Sequence, residues 1–125
     1  MFDWSNFKTL ADELRQRNDE AAQRTAISRI YYTVYWRART FLESEGFVLR
    51  QYEASHIQIW NEYKQKAGQT NKAVGKSGSE LHRFRVQADY IADIKDVKKL
   101  ADDSFKLAEN VLAYLQQIEK KTENK

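Results

Sequence analysis

The segment Ala26-Ile27-Ser28-Arg29-Ile30-Tyr31-Tyr32-Thr33-Val34-Tyr35-Trp36 lies inside a run from Glu20 to Glu45 that contains neither glycine nor proline. Its apolar positions, extended to both sides, are Ala22, Ala26, Ile27, Ile30, Tyr31, Val34, Ala38, Phe41 and Leu42. Spacing by three and four keeps these on one side of an α-helix, which predicts a long buried stripe. Arg29, Tyr32 and Trp36 follow at i, i+3 and i+7 on an adjoining face. One edge of this helix is therefore aromatic and cationic, where aliphatic side chains would suffice for packing. Gly46 supplies a C-terminal stop.

The neighbouring segments read in the same way. A first helix is expected after Asp3 or Ser5, both good N-caps, running to about Arg17 with Phe7, Leu10 and Leu14 on one face. Asn18-Asp19 makes a short break. A third helix is expected from Ser55 to about Lys66, with Ile57, Trp60 and Tyr63 inward. The stretch from Gly68 to Gly78 reads as a polar loop because it holds three of the four glycines. A fourth helix is expected over Ser79–Ile94, carrying Leu81, Phe84, Ala88 and Ile91, and a fifth from Asp96 to about Lys120. No segment alternates with the period of two that marks a half-buried strand. The expectation is an all-α, up-and-down bundle of four to five helices, one domain over residues 1–125 with an ordered core at about 3–118 and a charged tail at 119–125.

Composition narrows the chemistry. At 125 residues the chain is long enough for one real core and too short for two. It has no cysteine, which excludes disulfides, thiolate metal sites and cysteine nucleophiles. No apolar run approaches the roughly 18 residues of a membrane span. Met1-Phe2-Asp3-Trp4 lacks the basic start of a signal peptide. A cytoplasmic protein with no membrane association is expected. The net charge is +3, unevenly spread: Lys64, Lys66, Lys72, Lys76, Arg83 and Arg85 face only Glu80 between residues 64 and 86. Such a segment suits either a polyanionic partner or a solvated lysine-rich loop.

Candidate chemistry is sparse. Gly75-Lys76-Ser77 lacks the glycine spacing and the preceding strand of a phosphate-binding P-loop. His56 and His82 are the only histidines, and neither has a histidine or carboxylate at i+3 or i+4, so no metal site and no cofactor are expected. Each reads first as an ordinary surface or boundary histidine. Arg50, six residues before His56, raises that histidine: an arginine holding anionic oxygens and a histidine moving a proton can act together on a phosphodiester. Arg85 and Asp89, at i and i+4, form either a fold-holding salt bridge or part of a site, with Tyr90 and the Tyr31-Tyr32 pair as neighbours.

Three of these pieces, Ser28-Arg29-Ile30-Tyr31-Tyr32-Thr33-Val34-Tyr35, Ser55-His56 and Phe84-Arg85-Val86-Gln87-Ala88-Asp89-Tyr90, together resemble the HEPN domain in its small stand-alone prokaryotic branch. The resemblance covers about residues 5 to 118. It implies a helical bundle that often dimerises, RNA-cleaving toxins or defence effectors as relatives, and a nucleotidyltransferase antitoxin as a possible partner. Active members cleave without metal, using an arginine followed four to six residues later by a histidine. Here the arginine position matches Arg85, but Ala88-Asp89-Tyr90 fills the place of the histidine.

The functional expectation is accordingly a homodimeric toxin–antitoxin or defence protein that binds RNA or a nucleotide, with weak or absent metal-independent ribonuclease activity. Arg85 would contact phosphate, Asp89 and Arg29 would orient it, and Tyr32 and Tyr90 would stack or hydrogen-bond. His56 would be the acid–base group, and Lys72, Lys76 and Arg83 would add basic contacts. The rival is a non-catalytic interaction module that binds a partner protein such as a nucleotidyltransferase.

Overall fold

The computed structural model describes residues 1–123, which form five α-helices and no strand: α1 (Asn6–Arg15), α2 (Glu20–Ser44), α3 (Ser55–Gln65), α4 (Gln69–Tyr90) and α5 (Val97–Glu123). They pack as an up-and-down bundle. α2, α4 and α5 contact one another to form its centre, α1 lies against α2, and α3 lies against α4. Among the described residues no helix is long and apolar enough to cross a membrane.

α2 follows the pattern read from its sequence. The Asp19 side chain accepts a hydrogen bond from the Ala22 amide at 3.2 Å, satisfying one of the orphan donors of the first turn. Every residue of the predicted stripe is buried except Phe41, which is half-buried. Gly46 stops the helix with φ +94°, a backbone region that strongly favours glycine. Arg29, Tyr32 and Trp36 are half-buried, so the cationic and aromatic edge stays in reach of solvent.

The expected loop at Gly68–Gly78 is absent. Residues 69–78 are the first half of α4, and only Gly68, at φ +101°, serves a turn. Gly75 and Gly78 share one face of α4, and both are buried against α3. A Cβ on Gly75 would stand 2.7 Å from the Lys64 nitrogen and from the Trp60 carbonyl, and one on Gly78 would sit in the Trp60 indole. The glycines are thus a packing device: losing two side chains lets α3 and α4 approach backbone to backbone. The Lys72 ammonium closes the turn by donating to the carbonyls of Lys64 (3.2 Å) and Lys66 (3.1 Å), at the C-terminal end of α3.

Other departures are smaller. α3 buries Ile59, Trp60 and Tyr63 and exposes Ile57, which lies at the edge of that face rather than in it. In α1 the fully buried residue is Ala11, which joins the main core, while Leu10 is exposed. α4 ends at Tyr90, four residues early, and Arg24 of α2 takes the carbonyls around that end. The guanidinium donates to Ala88 O (3.0 Å), Ile91 O (2.6 Å) and Ala92 O (2.8 Å). That end of α4 has no basic residue of its own, so Arg24 supplies the positive charge the helix dipole favours there. α5 continues through residues 119–123, where the sequence reads as a charged tail; residues 124–125 lie outside the described part.

Candidate functional site

The bundle centre is aromatic where α2, α3 and α4 meet. Tyr31 is fully buried, and its hydroxyl receives the Trp60 indole N–H at 3.1 Å and lies 2.6 Å from His56 Nδ1. His56 occupies the first turn of α3, one residue after Ser55, whose Oγ accepts from the Tyr35 hydroxyl at 2.9 Å. A buried glutamine fixes this start: Gln58 accepts from the Arg50 amide (2.7 Å) and donates to Arg50 O (3.0 Å) and Glu53 O (2.8 Å). The α2–α3 connection is therefore tied down beside the histidine.

On the other side of His56 stands His82 of α4. The two imidazoles stack with centroids 4.7 Å apart and planes 15° from parallel. Both are half-buried, and the Tyr31 ring lies 5.4 Å from His56 and 5.5 Å from His82. Three residues beyond His82, Arg85 emerges from the same helix with a side chain only 13% exposed. Its Nε donates to Asp89 Oδ2 at 3.0 Å, its only hydrogen bond among the described residues. Its guanidinium carbon sits 5.3 Å from the Tyr32 ring centroid, and Arg29 lies 5.2 Å from the same centroid. Ser28 links the two arginines by donating to Asp89 Oδ2 (3.3 Å) and accepting from Arg29 (3.2 Å). Arg39 borders the cluster, donating to the Tyr35 hydroxyl at 3.1 Å and pairing with Glu43.

The electrostatics follow from this crowding. Burial, then His82, Arg85 and Arg39, pull the His56 imidazole down to about 4. Burial first and Arg85 second lower His82 as well. Burial pushes the Tyr31 hydroxyl far up, so it keeps its proton. At neutral pH the cluster is two uncharged imidazoles beside arginines that outnumber the nearby carboxylates. An anion placed there would reverse the shift and draw protons onto the ring nitrogens.

Most of the residues singled out from the sequence meet here. Arg29, Tyr32, His56, Arg85 and Asp89 form one connected group, and Tyr90 borders it from the solvent side, 5.7 Å from Arg85. Others do not join. Arg50 is exposed and paired with Glu53 at 2.7 Å, so it does not partner His56 as its spacing suggested. Arg83 is exposed and paired with Glu80, Lys76 is exposed, and Lys72 is engaged at the α3–α4 turn. Sequence reasoning names His82 and Tyr31 but gives neither of them, nor Tyr35, a role in the site. His82 precedes Arg85 by three residues, which places it one turn away on the same helix face; that spacing was the available signal.

Among the described residues, no group of three or more His, Asp or Glu side chains is placed to hold a metal. A concavity of about 570 Å³ lies elsewhere, between the N-terminal segment, α2 and α5, with Trp4, Trp36, Phe41 and Leu112 in its wall. Its lining carries Asp3, Lys8 and the Arg37–Glu119 ion pair but no histidine. Comparison with protein-family models, with curated proteins and with solved structures finds no match to this chain.

Proposed function

We propose that this chain is a HEPN-like bundle that binds the phosphodiester backbone of RNA, or a nucleotide, at the His56–His82–Arg85 cluster, and that it cleaves RNA there without metal. The observation that carries the reading is the convergence of two stacked imidazoles on an arginine whose Nη groups have no acceptor among the described residues. A nearly buried guanidinium with free donors calls for an anion, and phosphate matches its planar fork. Tyr32 and Tyr90 offer faces on which a base can stack, with Tyr90 largely exposed. The resemblance in sequence to toxin and defence nucleases adds the setting: a cytoplasmic homodimer held in check by a nucleotidyltransferase antitoxin.

A second reading rests on a specific observation too. Arg29, Ser28, Asp89 and Arg85 form a continuous chain of hydrogen bonds between α2 and α4. In that reading the arginines hold the helices, and the protein is an interaction module for a partner protein. The test is binding and cleavage of labelled RNA in chelator, with wild type, Arg85→Ala and His56→Ala side by side, together with their melting temperatures. Salt-sensitive binding lost in Arg85→Ala at nearly unchanged melting temperature supports the RNA site. A large fall in melting temperature for Arg85→Ala, with no binding by wild type, supports the interaction module.

A further inference from the structure

The hydrogen-bond chain through Tyr31 decides what each histidine can do. An indole N–H only donates, so the Tyr31 oxygen accepts from Trp60. The hydroxyl proton must then find an acceptor of its own. Tyr31 is fully buried, and an unsatisfied hydroxyl there would carry the desolvation cost of a lost hydrogen bond. The acceptor within reach is His56 Nδ1, at 2.6 Å. His56 Nδ1 therefore carries a lone pair, and the ring's proton is on Nε2. Neither nitrogen of His82 has a protein partner among the described residues, and neither is sealed from solvent.

We infer that Trp60 and Tyr31 lock His56 as a neutral Nε2–H donor to a phosphate oxygen, and that His82 is the catalytic residue that carries the proton. The inference rests on the RNA reading above and divides labour within its site. The 2′-oxygen forms a bond to phosphorus as the P–O5′ bond breaks. His82 takes the proton from the 2′-hydroxyl and delivers it to O5′, leaving a 2′,3′-cyclic phosphate and a 5′-hydroxyl. Arg85 and His56 Nε2–H hold the non-bridging oxygens as charge builds on them. His56 cannot accept the proton at Nε2, which is occupied, or at Nδ1, which is engaged by Tyr31.

Two measurements on the full chain test this. Long-range 1H–15N correlation spectra of labelled protein resolve both histidines, with His82→Gln giving the assignment. The expected result is His56 in the Nε2–H form at pH 7, converting to a mixture of tautomers in Tyr31→Phe. An Nδ1–H form in wild type, or a tautomer indifferent to Tyr31→Phe, overturns the lock. Cleavage of a labelled oligoribonucleotide in chelator is the second. His82→Gln should lose roughly 10²–10⁴-fold in rate, with a much smaller change in RNA affinity. His56→Gln loses the fixed phosphate-oxygen donor and should fall by about tenfold, less than His82→Gln, while retaining the wild-type pH profile. The reverse pattern, with the pH-dependent limb vanishing in His56→Gln, overturns the assignment. If wild type neither binds nor cuts RNA, the proposed function fails and the role of His82 with it, while the spectra still decide the lock.

Discussion

Replacing Gly78 with alanine pits a general rule against a particular contact. In a helix interior alanine is favoured over glycine by about 1 kcal/mol, and it also restricts the unfolded chain. Residue 78 lies inside α4, so propensity alone predicts a more stable protein. The three atoms nearest the new methyl all belong to the Trp60 indole, well inside van der Waals contact. Trp60 cannot swing aside cheaply: it is 1% exposed and its Nε1–H is committed to Tyr31. Overpacking of a rigid core typically costs about 1–3 kcal/mol, and a clash with an immobile ring belongs at the upper end. The net expectation is destabilisation of about 1–2 kcal/mol, a fall in melting temperature of about 3–10 °C for a domain of this size. Thermal and urea unfolding of wild type and Gly78→Ala measure it. In a Trp60→Leu background the penalty should shrink or change sign, because the ring that causes it is gone. A Gly78→Ala protein that melts at or above wild type would refute the close α3–α4 contact described here.

Further outcomes follow from the same site. His56 stays uncharged in the fold down to about pH 4, while in the unfolded chain it takes a proton near 6.5. The unfolded state therefore binds more protons between those values, and stability should fall as pH drops through this window, by about 1–2 kcal/mol after allowance for solvent reaching the half-exposed ring. Urea midpoints at pH 7 and pH 4.5 show the loss, and His56→Gln should reduce it. Gln58→Ala removes three hydrogen bonds from the α2–α3 connection and should cost about 1–3 kcal/mol in urea unfolding, with faster amide exchange of residues 50–58.

The sequence made α2 legible because its burial is regular: apolar residues recur at helical spacing over 25 positions, and its ends carry an aspartate and a glycine. The first half of α4 was illegible for the opposite reason. Its stability comes from contact with α3, so glycine, a poor helix former in isolation, occupies the positions where packing needs it. The site divided along the same line. Arg29, Tyr32, Arg85 and Asp89 stood out because charge and aromatic character broke an apolar pattern. The His56–His82 stack could not be read, since it depends on how far α3 and α4 approach, and that distance is set by the glycines misread as a loop.

The N-terminal segment offers a handle of another kind. Trp4 lies flat against Trp36, with ring centroids 4.2 Å apart and planes 7° from parallel. Two indoles held so close couple their ultraviolet transitions, and the paired bands they produce in circular dichroism depend on their mutual orientation rather than on helix content. Residues 1–5 thus carry their own optical signature. Peeling this segment from α2 would erase the couplet while the helical signal stayed intact, so its docking can be followed in solution without a label.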